Sequence, residues 1–399
     1  MTIVNIEDFF HPDAGYQINV LSKYLAKFGH DVTVITAETD KIPASLTTFF
    51  SVDNLEAADK KYTETTNVKI IRLPIKAFLS GRAIFTGALK RKIQELSPEI
   101  LFVHGNDTLT GMWAVKNYRK LNIPLLTDSH MLSMASKNKL HNLFTAFYRK
   151  FITPTVIKNS IPVIRTQNDP YVEKNYSIPL NQAPWISYGS DTLLFHPDNN
   201  VKRSFRKENG ISDDDFVVVY TGKLDESKGG KLLAETFLKR FNTKRNIILI
   251  AVGSTTGEYG KEVEELFAES ENRIIRFPTQ KYCDLPLFYQ AADLSVFARQ
   301  CSLSFYDAQA CGLPVLSEDN NINVDRCSHN NGWNFKSGDV ADFREKIEFA
   351  AEMPIDKYAD ISENAYRFII DNYNYEDKAR EYEKIIIDTY NRFKGEKNA

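Results

Sequence analysis

A chain of 399 residues is longer than one typical hydrophobic core, so its length favours two domains. Apolar residues make up 43% and charged residues 26%, as in soluble globular enzymes, and a net charge of −2 argues against nucleic-acid binding by the whole surface. The N-terminus lacks a signal-peptide pattern, and no apolar run is long enough to span a membrane. We therefore expect a cytoplasmic protein with free thiols at its four cysteines.

The first half of the chain alternates short apolar runs with helical patterns. Residues 2–6 and 32–36 are predicted strands, and the apolar residues between them have the spacing of one helical face: Val20, Leu21, Tyr24, Leu25 and Phe28. Further strands are predicted at 68–73, 99–104, 123–128, 161–166 and 183–187. The second half repeats the alternation, with strands predicted at 216–222, 246–253, 273–277, 294–298 and 314–318.

Near-continuous apolar strands alternating with helices predict an α/β protein of two doubly wound parallel-sheet domains, covered by helices on both faces. The turn-rich segment 187–200 marks the join, which places the domains at 1–188 and 189–374. The amphipathic final helix, 375–399, is expected to pack back onto the first domain. Ligands of such sheets bind beyond the carboxyl ends of the strands, so we expect the site in a cleft between two facing domains.

The loop GKLDESKGG, which follows strand 216–222, is a candidate phosphate-binding loop. Gly222 permits a tight turn, and Lys223 and Lys228 lie five residues apart where a helix begins. Two ammonium groups and the amides of a helix start can clamp a diphosphate, although two ordinary surface lysines would give the same pattern.

Other loops that follow strands carry weaker candidates. Amides around Ser302 and Ser304 could bind an anion, and Asp307, about one helical turn further on, could accept hydrogen bonds from a ribose diol. Gly15 follows the first strand, and His130 follows a later one. A lone loop glycine or histidine is also consistent with a purely structural role.

Five segments, in this order, resemble retaining glycosyltransferase family 4, which has the GT-B architecture of two facing Rossmann-like domains. They are PDAGYQINVLSKYLAKFGHDVTVIT, ISYGSDTLLFHPD, GKLDESKGG, LPLFYQAADLSVFA and DAQACGLPVL. The resemblance implies that the first domain binds the acceptor and the second binds a nucleotide-sugar donor. It further implies a hexosyltransferase-type enzyme of polysaccharide or glycolipid biosynthesis, with a UDP-sugar as the expected donor and a glycan or lipid-linked acceptor.

The resemblance also assigns roles to individual residues. Lys223 and Lys228 match the bases on the donor diphosphate, and His130 matches a histidine near the reacting sugar. The implied donor-binding set is Gly15, Tyr16, Gly222, Phe277, Arg299, Cys301, Ser302, Leu303, Ser304 and Asp307. Because the two lysines and the helix-start amides would stabilise the leaving diphosphate, we expect neither a metal nor a cofactor.

Arg299 departs from the family pattern, which has a glutamate at this position. It could bind a carboxylate on a uronic-type donor, pair with Asp307 or the diphosphate, or mark a site that has lost catalysis. We favour the second interpretation. The alternatives to a transferase are a non-catalytic glycosyltransferase-like subunit and a sugar-nucleotide epimerase or phosphorylase on the same architecture.

The charge is unevenly distributed along the chain. Between Lys69 and Arg165 sixteen basic residues stand against four acidic ones, which suggests a face for an anionic partner. Within this window, segment 135–160 mixes bases with aromatic and aliphatic residues, and such a surface can lie on the anionic inner face of a membrane. The alternative is an ordinary helix with a buried aromatic face and a solvated charged face.

Overall fold

The computed structural model describes residues 1–42, 54–79, 81–131, 140–299 and 302–398. The chain divides into two compact units. The first unit comprises Met1–Tyr188 and Tyr375–Ala399, and the second unit comprises Gly189–Asn374.

The first unit is built on a parallel sheet. Its strands are β1 (Thr2–Ile6), β2 (Asp31–Ala37), β3 (Lys69–Leu73), β4 (Ile75–Leu79), β5 (Arg82–Phe85), β6 (Ile100–Val103), β7 (Leu125–Ser129) and β8 (Val163–Arg165). Its helices are α1 (Gln17–Lys27), α2 (Leu55–Thr66), α3 (Ala88–Leu96), α4 (Leu109–Leu121), α5 (His141–Phe151), α6 (Thr153–Lys158) and α7 (Tyr171–Tyr176). The described strands form one six-stranded sheet in the order β3-β2-β1-β6-β7-β8, and β4 and β5 form a separate antiparallel hairpin.

The central strands are apolar on both faces because helices cover both sides of the sheet. Ile3, Val4 and Ile6 of β1 are fully buried, and so is every residue of β6. The predicted strand at 183–187 forms only a single bridge, between Arg165 and Trp185. Pro184 offers a carbonyl to the Arg165 amide but has no N–H of its own, so the ladder ends there.

The final helix of the chain, α16 (Tyr375–Asn398), belongs to the first unit. Two of its tyrosines bind Gln17 of α1: the Tyr375 hydroxyl donates to the Gln17 carbonyl at 3.2 Å, and Gln17 Nε2 donates to the Tyr382 hydroxyl. Tyr375 also stacks on Tyr24, with 5.8 Å between ring centroids. Buried aromatic contacts therefore connect this helix to residues far away in sequence.

The second unit repeats the architecture. Its strands are β9 (Phe216–Thr221), β10 (Ile247–Val252), β11 (Arg273–Phe277), β12 (Leu294–Phe297), β13 (Val315–Glu318) and β14 (Gly332–Phe335). Its helices are α8 (Asn199–Glu208), α9 (Gly230–Thr236), α10 (Gly257–Ala268), α11 (Pro286–Ala291), α12 (Ser304–Ala310), α13 (Asn321–Arg326), α14 (Val340–Ala351) and α15 (Ile355–Asn372). The described strands pair in the order β11-β10-β9-β12-β13-β14, all parallel.

Both sheets therefore have the strand order of a doubly wound fold, which confirms the predicted fold class. Strand β14 was not predicted, because its sequence GWNF is short and partly polar. Gly332 is required there, since a Cβ at this position would lie 2.2 Å from the Val315 carbonyl oxygen of the neighbouring strand.

A buried ion pair stabilises the second unit at the amino ends of β9 and β12. Asp293 accepts hydrogen bonds from Arg206 at 2.7 Å, from Lys202 at 2.8 Å and from the Val217 amide at 2.9 Å. Burial opposes ionisation of this carboxyl, but Lys202 and Arg206 outweigh it and hold its pKa below the usual range.

Asp293→Ala should lower the free energy of unfolding by about 3–5 kcal/mol, because the Arg206 guanidinium would stay buried without its carboxylate. Urea denaturation followed by circular dichroism measures the change. Lys261→Ala breaks an exposed pair with Glu258 and should change the free energy of unfolding by no more than about 0.5 kcal/mol. Equal effects of the two substitutions would contradict a special role for the buried pair.

Candidate functional site

The strand order of the second sheet reverses between β9 and β12, where the two following loops lie side by side. Gly229 ends the loop after β9 with a φ of +75°, and a Cβ there would lie 3.1 Å from the Cβ atoms of both Ala298 and Arg299. Only glycine allows this positive φ and this close approach without strain. The loops predicted from the sequence to bind the donor are therefore neighbours at the switch point.

The loop that carries Lys223 and Lys228 has a defined conformation. Asp225 caps the short 3₁₀ turn Glu226–Lys228 by accepting a hydrogen bond from the Lys228 amide at 3.0 Å. The Tyr220 hydroxyl donates to the Lys223 carbonyl at 2.6 Å. The Lys223 side chain is exposed and that of Lys228 is half-buried.

Gly222 begins this loop in a conformation that L side chains rarely adopt, with a φ of +145°. Its carbonyl oxygen would lie only 1.8 Å from a Cβ at Gly253, which follows β10. The loop after β9 thus rests directly on the backbone of the loop after β10, and both positions require glycine.

Arg299 contacts the candidate phosphate-binding loop rather than Asp307. Its Nη1 donates to the Glu226 carbonyl at 3.1 Å, and within the described parts of the chain it makes no hydrogen bond to Asp307. The pairing with Asp307 considered from the sequence is therefore wrong for this structure. Arg299 instead joins the loop after β12 to the loop after β9.

Asp307 lies in the first turn of α12 and is buried. Its Oδ1 accepts hydrogen bonds from the Ser190 hydroxyl at 2.7 Å and from the Tyr282 hydroxyl at 3.2 Å. Burial raises the pKa of this carboxyl to about 7, although both hydrogen bonds oppose the rise. Near neutral pH the group can therefore either accept or donate a hydrogen bond.

The remaining described candidates of the second unit lie at or after the carboxyl ends of strands β11 and β12. Cys301 lies outside the described residues. Ser302 and Leu303 precede α12 and Ser304 begins it, and all three are half-buried. The Ser302 hydroxyl accepts the Ser304 amide at 3.3 Å. Phe277 ends β11, where its ring packs on Phe288 and its carbonyl accepts the Gly253 amide at 3.0 Å.

In the first unit, His130 follows β7 and takes part in a network with Asp128. His130 Nε2 lies 3.3 Å from Asp128 Oδ1, and His130 Nδ1 lies 2.6 Å from the Tyr188 hydroxyl. Asp128 Oδ2 lies 2.7 Å from His104 Nδ1, and its Oδ1 accepts the Gly105 amide at 2.7 Å. The Asp128 side chain is fully buried, whereas 38% of the His130 side chain is exposed.

This network favours a protonated His130. Burial opposes the charge, but Tyr188 and Asp128 outweigh it and raise the pKa of the imidazole well above its ordinary value. His104 and His130 hold the pKa of Asp128 below its ordinary value against the effect of burial. The side chains of the two histidines and Asp128 come within 4.8 Å of one another, near enough to share a metal ion, but hydrogen bonds already join them.

Sequence reasoning missed Asp128 and Tyr188. The motif DSH offered a signal for the first, because residues i and i+2 of a strand lie on the same face and Asp128 and His130 have this spacing. Nothing in the sequence pairs Tyr188 with His130. Gly15 and Tyr16 lie where predicted, after β1, with Tyr16 at the N-cap of α1 and 47% exposed.

Comparisons with known proteins find matches that cover nearly the whole chain. The family model described as "Glycosyltransferase Family 4" matches residues 14–222, and "Glycosyl transferases group 1" matches residues 201–394. A probable sucrose-phosphate synthase of Thermosipho melanesiensis is 25% identical over 94% of this chain and 91% of its own length.

Two solved structures have the same fold. Sucrose-phosphate synthase from Thermosynechococcus elongatus superposes with a TM-score of 0.72 at 17% identity, over 98% of this chain and 99% of its own. HepE from Anabaena, solved in complex with UDP-glucose, gives a TM-score of 0.74 at 15% identity, over 97% of this chain and 100% of its own. At these identities the likeness shows the fold alone.

Asp128→Asn should lower the pKa of His130 toward its ordinary value of about 6.5, because the variant removes the carboxylate that stabilises the imidazolium. An NMR titration of the histidine ring signals between pH 5 and pH 9 measures the shift. In the unchanged protein, His130 should stay protonated through neutral pH. Asp107→Asn, which removes a carboxylate bonded to Tyr176, should leave the titration of His130 unchanged. A titration unaffected by Asp128→Asn would contradict the assignment.

Proposed function

This chain belongs to glycosyltransferase family 4, and we propose that it moves a hexose from a UDP-sugar to a hydroxyl group of a glycan or lipid-linked acceptor with retention of configuration. The observation that carries the proposal is the pair of adjacent loops at the switch point of the second sheet. The first of these loops carries Lys223 and Lys228, and the second carries Arg299 and leads into α12. The UDP-glucose complex of HepE, a protein of the same fold, supports the choice of donor.

The proposed reaction breaks the bond between the anomeric carbon and the diphosphate oxygen. Its electron pair leaves with the nucleoside diphosphate, the acceptor oxygen forms the new glycosidic bond, and the acceptor proton passes to the leaving phosphate. Negative charge therefore grows on the diphosphate. Lys223 and Lys228 are the groups that we expect to stabilise it, without a metal ion or cofactor.

Two further groups have proposed supporting roles. His130, as an imidazolium, would donate a hydrogen bond to a hydroxyl of the reacting sugar, and Asp128 would keep it charged and correctly oriented. Asp307 would hold the donor ribose through Oδ2, since Oδ1 already accepts hydrogen bonds from Ser190 and Tyr282. Gly15 and Phe277 would contribute backbone contacts to the phosphates and the base.

Arg299 has a structural explanation that does not require loss of catalysis. Its hydrogen bond to the Glu226 carbonyl would hold the loop of Lys223 and Lys228 against the loop after β12. Arg299 is therefore not by itself a sign of a non-catalytic subunit. Nucleotide-sugar binding without any transfer or donor hydrolysis would support the subunit instead.

Lys228→Ala should reduce turnover about 10²–10³-fold, because it removes one of the charges that stabilise the leaving diphosphate. Release of UDP from a panel of UDP-sugars measures turnover. The same assay in the presence of EDTA tests whether the reaction needs a metal ion. ¹H NMR of the product reports its anomeric configuration. Lys231→Ala is the matched control, since Lys231 lies three residues away but pairs with Glu262. Turnover of Lys228→Ala near that of the unchanged protein would contradict the assignment.

The surface of α5 supports association with an anionic membrane. Its inner face packs Phe144 and Tyr148 on the core, whereas Leu143, Phe147 and Phe151 are 70%, 46% and 43% exposed. The outer face is therefore apolar, unlike the solvated charged face of an ordinary surface helix.

Basic residues surround this apolar stripe. Lys116 and Lys150 lie 5.9 and 5.4 Å from the centroid of the Phe151 ring, and Lys158 is exposed nearby in sequence. Residues 135–139 of the predicted segment lie outside the described residues. Among the helices that the structure describes, none is long and apolar enough to cross a membrane. We propose that the protein binds the inner face of the membrane peripherally through α5.

The double variant Leu143→Glu, Phe147→Glu should weaken binding to phosphatidylglycerol vesicles at least about tenfold, because it removes two large apolar side chains and adds two negative charges. Vesicle sedimentation at low salt measures the binding, which should also fall as salt rises. Leu193→Glu changes a leucine that is 63% exposed in the second unit and should have no effect. Absence of binding by the unchanged protein at low salt would end the membrane proposal.

A further inference from the structure

A pocket of about 360 Å³ lies in the first unit, apart from every residue assigned to the donor. It is formed by the hairpin β4–β5 and by the starts of α3 and α4. The side chains that matter here are Lys76, Phe85, Thr86, Lys90, Thr110 and Trp113. A volume of this size is typical of sites for small organic molecules.

The pocket borders the edge of the sheet where ligands of doubly wound folds bind. The Thr110 hydroxyl donates to Asp8 Oδ1 at 3.0 Å. Asp8 follows the carboxyl end of β1, next to the switch point of the first sheet. The wall formed by α4 is therefore joined, through Thr110, to the position at which substrate is expected.

The electrostatics of the pocket favour an anion. Lys76 and Lys90 line it, no aspartate or glutamate does, and neither lysine makes an ion pair with any part of the chain that the structure describes. Lys92, only two residues further along α3, is instead paired with Glu95 at 2.7 Å. Two uncompensated ammonium groups on one concave surface attract and bind a multiply charged group such as a phosphate.

The rest of the lining suits a polyhydroxylated ring. Trp113 and Phe85 are half-buried and offer aromatic surface, on which the C–H face of a sugar can pack. The Trp113 indole N–H has no acceptor among the described residues, so it is available to a hydroxyl oxygen. The Thr86 hydroxyl accepts the Ala88 amide at 3.2 Å and can still donate its own proton.

A buried polar atom next to the pocket also lacks a partner. Asp8 is almost completely buried, and its Oδ2 has no hydrogen bond within the described residues. Burial raises the pKa of this carboxyl to about 7. A buried polar atom without a partner is uncommon, and this one lies at the edge of the sheet where we expect substrate to bind.

We propose that this pocket binds the acceptor, and that the acceptor is a phosphorylated sugar or polyol whose phosphate is held by Lys76 and Lys90 while its ring packs on Trp113. The inference rests on the proposed glycosyltransferase function and extends its acceptor class to free phosphorylated sugars and polyols. The phosphate could belong to a free metabolite or to a lipid carrier, and both would present the same group to the two lysines.

Isothermal titration calorimetry on the full-length protein tests the proposal. The probes are glucose 6-phosphate, mannose 6-phosphate and glycerol 3-phosphate, each beside its unphosphorylated parent, together with inorganic phosphate and dodecyl phosphate. We expect at least one phosphorylated sugar or polyol to bind at least about tenfold more tightly than its parent, because charge-assisted hydrogen bonds to the lysines are lost with the phosphate. Tighter binding of the sugar phosphates than of dodecyl phosphate indicates a free acceptor, and comparable binding of both indicates a lipid-linked one.

The double variant Lys76→Met, Lys90→Met should weaken this binding at least about tenfold, and Lys92→Met should leave it unchanged. All three lysines are at the protein surface, and circular dichroism verifies that the variants fold. Equal affinity for sugars with and without phosphate, binding of dodecyl phosphate alone, or full binding by the double variant would each overturn the proposal. Titration of the unchanged protein with UDP tests the proposed function separately, because the donor loops belong to the second unit.

Discussion

The reversal of strand order in each parallel sheet is the constraint on which the rest of the structure depends. Connections on either side of the reversal run to opposite faces of the sheet, so no crossing helix covers the carboxyl ends of the two adjacent strands, where a ligand can bind. In the second unit this occurs between β9 and β12, and in the first unit between β1 and β6. The polar and charged candidate residues are gathered at these edges because the interiors of the strands are largely apolar.

Buried carboxyl groups at these edges have two kinds of surroundings. Asp128 has two histidines and a backbone amide as partners, which keep it ionised. Asp8 and Asp307 have hydroxyl partners and, within the described parts of the chain, no hydrogen-bonded cation, and burial raises the pKa of both to about 7. The first arrangement favours a charge on His130, whereas the other two carboxyl groups can gain or lose a proton near neutral pH.

The most reliable expectations from the sequence concerned elements whose signal is local. Strands such as 216–222 and 246–253 are continuous apolar runs, and parallel sheets bury both faces of their strands, so pattern and structure agree. The hairpin β4–β5, now part of the proposed acceptor pocket, was missed because its strands are short and only partly buried. Strand β14 was missed for a related reason, since its pairing with β13 depends on Gly332 rather than on apolar side chains.

By itself, the sequence determined the alternation of strands and helices, the loop that carries Lys223 and Lys228, and the resemblance to family 4. These depend on spacing along the chain, which the peptide backbone preserves. Only the tertiary structure decided that Arg299 contacts Glu226, that Tyr188 contacts His130, and that Lys76 and Lys90 share a pocket with Trp113. The physical reason is the same in each case: such contacts join residues that are far apart in the sequence, and only the folding of the chain brings them together.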